Sequence, residues 1–83
     1  MNNNKEIIQM IDHDLQKYFK NGRFTIDYIE WGDYYCIYVK HIPSHFYTVV
    51  KYSNDEILFI STQNIAIRIE REFMNMFKSS LVV

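Results

Sequence analysis

The spacing of apolar residues changes from a period of 3.6 to one of 2 at Asn21-Gly22, and that change constrains the fold more than any other feature. Before it, Ile7, Ile8, Ile11, Leu15, Tyr18 and Phe19 recur every three or four positions and form one stripe of a helix, with Lys5, Gln9, Asp12, Gln16 and Lys20 off the stripe. After it, Phe24, Ile26 and Tyr28 recur every second position, the period of a strand with one buried face. Asn3 with Glu6 reads as a capping box for the helix, and Asn21-Gly22 as its left-handed stop.

The turns that follow fix a register. Gly32-Asp33 suits a two-residue hairpin of type II′, because glycine takes the positive φ that its first position needs. Trp31 then opposes Tyr34, Tyr28 opposes Ile37, Ile26 opposes Val39 and Phe24 opposes His41. A turn at Pro43-Ser44 sets Val39 against Thr48 and Ile37 against Val50. A third turn at Asn54-Asp55 predicts a fourth strand, with Tyr52 opposite Ile57, Val50 opposite Phe59 and Val49 opposite Ile60. All three turns place the same residues on one inner face.

In the last segment Ser61 or Thr62 can cap a helix whose stripe is Ile65, Ile69, Phe73, Met76 and Phe77. A short fifth strand over residues 65–69 competes with it, but alternation stops at Glu70 while the helical stripe continues to Phe77. The expected fold is a single α+β domain over residues 1–83, in the order helix, four-stranded antiparallel meander, helix. Both helices are expected on one face of the sheet, and one helix on each face is the alternative arrangement.

That arrangement leaves the second sheet face without a cover. The run Tyr34-Tyr35-Cys36-Ile37-Tyr38-Val39 is bulky or apolar at every position, although a strand with one wet face should alternate. Ile29, Trp31, Tyr34, Tyr38, Tyr47, Val49, Leu58 and Ile60, with Cys36 among them, are therefore the candidate partner-binding residues. Monomers seldom expose so large a contiguous apolar patch, and Trp and Tyr are the residue types that anchor interfaces. A covering helix, a second copy of the chain and a different protein are the three ways to account for it.

The remaining chemistry is sparse. Nine basic and ten acidic side chains give a net charge of -1, which is no footprint for duplex nucleic acid or an anionic membrane. The only cysteine forms no internal disulfide and the N-terminus lacks a secretory pattern, so a cytoplasmic location is expected. No apolar run is long enough to span a bilayer. Cys36, His41 and His45 supply too few ligands for structural zinc, and the register puts Cys36 and His41 on opposite faces, which rules out a shared proton. Asp12 with Asp14, and Glu70 with Glu72, point about 200° apart on their helices and read as solvated faces.

No phosphate-binding glycine loop, G-x-S-x-G elbow or H-E-x-x-H pair is present, so no catalytic residue, metal or cofactor is assigned. The expectation is a small non-enzymatic binding protein whose aromatic sheet face meets a protein partner or a second copy. Trp31, Tyr34, Tyr38 and Tyr47 with Lys40 and Lys51 also fit a stacking platform for single-stranded nucleic acid, the second reading, although Asp27 opposes it. A small-ligand sensor with a pocket between helix and sheet is the third.

Twelve Ile against three Leu and one Ala, with many Asn, Lys and Tyr, suggest an AT-rich genome. In size, charge and expected topology the chain is similar to accessory proteins of phages and other mobile elements, anti-CRISPR inhibitors among them, an analogy that no particular residue carries.

Overall fold

The computed structural model describes residues 4–20 and 22–81, so the expected roles of Asn3 and Asn21 lie outside the described residues. The order is α1 (Asn4–Leu15), β1 (Phe24–Trp31), β2 (Tyr34–His41), β3 (Tyr47–Ser53), α2 (Asn54–Phe59) and α3 (Thr62–Leu81). Three antiparallel strands form one sheet in the order β1-β2-β3, which makes the fold α+β.

The first hairpin has the expected register throughout, from Phe24 opposite His41 to Trp31 opposite Tyr34. Gly32 takes φ 58°, and Asp33 does not, as the II′ turn requires. The second hairpin keeps the expected parity, with Ile37 opposite Val50 and Val39 opposite Thr48. Its loop is four residues rather than two. The His45 amide donates to the His41 carbonyl at 2.9 Å, the His41 amide donates to the Phe46 carbonyl at 2.8 Å, and His45 takes φ 64°. Any even loop length leaves the same residues inward, which is why the faces survive the change.

The fourth strand does not form. Ser53 caps a short helix instead: its hydroxyl accepts from the Glu56 amide at 3.1 Å and the Glu56 carboxylate accepts from the Ser53 amide at 3.0 Å. This reciprocal capping box satisfies two backbone donors that a turn at Asn54-Asp55 would not, with Asp55 and Glu56 also placed favourably in the first helical turn. The S-N-D-E spacing was the signal for it. The next segment is helical as well: Ser61 Oγ accepts from the Asn64 amide at 3.1 Å and starts α3, so residues 65–69 are not a strand.

Both long helices pack on the inner sheet face. Ile11 and Leu15 of α1, and Ile65, Ala66, Ile69 and Phe73 of α3, share one core with Ile37, Val39, Val50 and Tyr52 of the sheet. Each buried Ile, Leu, Val or Phe among them contributes about 1.5–3 kcal/mol by leaving water. The alternative with one helix on each face is thus not adopted. At one end of the core, Phe73 is ringed by Phe24 at 5.8 Å, Phe19 at 6.0 Å and His41 at 6.1 Å between ring centres.

The link from α1 to β1 is tight at Gly22. A Cβ there would lie 2.8 Å from the Phe24 ring and 2.9 Å from the Phe19 carbonyl oxygen, so the chain needs glycine for close approach. Asp14 departs from the solvated role expected of it. It is buried, its Oδ2 accepts from the Thr62 hydroxyl at 2.9 Å, and Lys17 stands 3.5 Å from its Oδ1. The contact ties α1 to the first turn of α3. No helix among the described residues is long and apolar enough to cross a membrane.

Candidate functional site: the outer face of the sheet

Strand alternation that buries Ile37, Val39, Val50 and Tyr52 must turn their neighbours the other way. Register assembles those neighbours into rows: Thr25, Lys40 and Tyr47; Asp27, Tyr38 and Val49; Ile29, Cys36 and Lys51; Trp31 and Tyr34 at the hairpin end. Of the residues expected on this face, Ile29, Trp31, Tyr34, Tyr38, Tyr47 and Val49 are there, and Cys36 lies at its middle. Trp31 is 75% exposed and Tyr47 59% exposed, and Ile29, Tyr34 and Val49 are close to half exposed. Both long helices lie on the opposite face of the sheet.

Leu58 and Ile60 are not on this face. The helical turn that replaces the fourth strand turns Leu58 into solvent, 72% exposed, and lays Ile60 partly against the core together with Ile57. Phe59, expected inward opposite Val50, is 88% exposed on α2. A six-residue helix has room for only one inward side, and Ile57 and Ile60, three apart, occupy it. Recognition of the capping box at Ser53 would have revealed this exposed pair.

Three aromatic rings of the outer face, those of Tyr34, Tyr38 and Tyr47, have a contact partner. Tyr38 and Tyr47 stack with ring centres 5.5 Å apart and planes 28° from parallel. The Lys51 ammonium lies 4.0 Å above the Tyr34 ring, a cation–π contact worth about 0.5–1 kcal/mol at an exposed site. Trp31, Gly32, Asp33, Tyr34, Cys36 and Lys51 surround a depression of about 430 Å³ at the hairpin end. Rigid aromatic side chains lose little entropy when a partner covers them, which is why they make effective anchors. The charges on the face are Asp27, Lys40 and Lys51, and none of the three makes an ion pair among the described residues.

Cys36 and His41 lie on opposite faces of β2, as the register requires. His41 belongs to the inner aromatic cluster, with its Nδ1 2.7 Å from Ser44 Oγ, and burial holds its pKa below the ordinary 6.5. Ser44 Oγ also accepts from the Phe46 amide at 3.2 Å, so the pair braces the loop between β2 and β3. His13 is exposed on α1. No group of three or more His, Cys, Asp or Glu among the described residues is placed to hold a metal ion.

A cavity of about 620 Å³ lies between α1 and the start of α3, lined by Glu6, Gln9, Met10 and His13 on one side and Ser61, Thr62 and Gln63 on the other. Its one buried ionisable group, Asp14, already has Thr62 and Lys17 as partners. Comparison with protein-family models, with curated proteins and with solved structures found no match for this chain.

Proposed function

We propose that this chain is a non-enzymatic binding protein that docks the outer face of its sheet on another protein surface. The observation that carries the reading is the row structure of that face: Trp31, Tyr34, Tyr47, Val49 and Ile29 lie together and exposed, with half-buried Tyr38 stacked on Tyr47 among them. Burying such a patch removes apolar area from water at about 25 cal/mol per Å², and two of its aromatic anchors, Tyr38 and Tyr47, are already paired by stacking. The analogy with accessory and inhibitor proteins of mobile elements, and the cytoplasmic setting expected from the single cysteine, belong to this proposal.

The test compares retention of proteins by immobilised wild type, Trp31→Ala and Tyr38→Glu. Proteins held by the wild type and lost by both variants, with circular dichroism unchanged, are what the reading requires. Equal retention by all three chains would refute it, and so would unfolding of the variants, because side chains in an open face do not support the core.

A second reading is favoured by the rings themselves. Exposed Trp31, Tyr34 and Tyr47 with Lys40 and Lys51 alongside provide stacking surfaces and two phosphate partners for single-stranded nucleic acid. In that case a labelled oligonucleotide binds and the affinity falls several-fold between low and physiological salt. Binding that is absent at low salt removes this reading.

A further inference from the structure

An interface between two copies of one chain about a two-fold axis must be complementary to itself, so the distribution of charge on the outer face bears on what covers it. β2 runs along the middle of the face, with β1 on one side and β3 on the other. The acidic residue, Asp27, stands on β1, while Lys51 stands on β3 one register row away. Both lack an ion-pair partner among the described residues.

We propose that the outer face is covered by the same face of a second copy, about a two-fold axis that runs along β2. The inference deepens the protein-binding reading above and rests on it. Rotation about that axis lays β1 of one copy over β3 of the other. Asp27 of each copy then comes one row, about 7 Å along the strand, from Lys51 of its mate. A lysine side chain spans that offset by leaving its own Tyr34 ring, and the symmetry makes the pair twice. Tyr38 and Cys36, on the central strand, meet their own counterparts at the axis. Lys40 also approaches its counterpart, but it lies in the end row beside Thr25 and Tyr47, where its ammonium reaches water.

The size of the face sets the strength. Strands about 4.8 Å apart and about 3.3 Å per residue give a patch of about 14 by 26 Å. That is at the small end of specific interfaces, so the dimer is weak and dissociates on dilution.

The experiment is light scattering over a concentration series for the wild type, Asp27→Lys, Lys51→Asp and the double swap. The wild type is expected to pass from monomer to dimer as concentration rises. Each single reversal places like charges together twice and is expected to weaken the dimer by about tenfold. The double swap restores the pair with its sign inverted and is expected to recover the wild-type affinity within a few-fold.

A monomer at every concentration overturns the second copy as occupant, and it leaves the retention test of the protein-binding reading standing. A dimer indifferent to both reversals overturns it, as does a double swap no better than the single variants.

Discussion

Two isoleucines on adjacent strands provide a sharp test of which sheet face is core. Ile37 on β2 is fully buried between the sheet and the helices, whereas Ile29 on β1 lies on the outer face and is 47% exposed. Truncation of Ile37 to alanine removes three buried carbons, about 2.4 kcal/mol at about 0.8 kcal/mol each, and adds the cost of a cavity. The expected loss is therefore about 2–5 kcal/mol. Truncation of Ile29 removes carbons that are already half in water and leaves no closed cavity, so about 1 kcal/mol or less is expected, strand propensity included.

Thermal unfolding resolves the difference, since about 1 kcal/mol moves the midpoint of a domain this size by about 4–8 °C. Ile37→Ala should fall at least about 4 °C further than Ile29→Ala, a loss that is a large share of a total stability of about 4–12 kcal/mol. The comparison belongs at protein concentrations where the chain is monomeric, because a dimer would add a concentration-dependent term to both midpoints. Equal losses, or a greater loss for Ile29→Ala, would refute the assignment of faces.

Ser53→Ala removes the cap of α2 and should cost about 1 kcal/mol in urea unfolding, whereas the same change at an ordinary hairpin end would be close to neutral. Hydrogen bonds from Ser53, the backbone amide first and the side chain second, also hold the Glu56 carboxyl below its ordinary 4.5; the unfolded chain therefore binds this proton more readily, and the stabilisation present above pH 4.5 is lost as pH falls below it, an effect that Ser53→Ala should only reduce, because alanine keeps the amide, and that Glu56→Gln should abolish. For His41, burial lowers the pKa from 6.5, so the unfolded chain again binds the extra proton and stability declines as pH falls below 6.5; His41→Phe should flatten that part of the stability curve. Gly22→Ala should destabilise by more than about 1 kcal/mol because the new methyl meets the Phe19 carbonyl, a backbone atom that cannot swing aside.

Most of the sheet was legible in the sequence because its period is two and its turn residues are specific. With Gly32 able to take positive φ, a single register placed Phe24 through Trp31 against His41 through Tyr34, and parity carried the faces into β3 even though the second loop is longer than expected. The stripe of α3 was legible for the same reason, and that of α1 as far as Leu15, where the helix ends earlier than its spacing suggested, leaving Tyr18 exposed and Phe19 on the core from the turn beyond. Residues 54–60 were not, because Ile57, Leu58, Phe59 and Ile60 are apolar in succession and fit either period. There the choice belonged to Ser53 and Glu56, whose reciprocal bonds favour a helix over a hairpin.

Six of the eight candidate interface residues followed the sheet and were placed correctly on its outer face. Leu58 and Ile60 followed the lost strand. Asp14 was misread because nothing in the spacing of α1 reveals that Thr62, far along the chain, supplies its hydrogen bond.

The central claim, that the outer face is open in the isolated chain and is where another protein docks, is tested most directly by the emission of Trp31, the only tryptophan in the sequence and a residue of that face. In dilute protein the account predicts red-shifted emission that acrylamide quenches freely. As concentration rises and copies pair, the emission should move to the blue and quenching should fall, in step with the rise in mass. Blue-shifted, protected emission in the dilute monomer, or a rise in mass with no change at Trp31, would contradict the account.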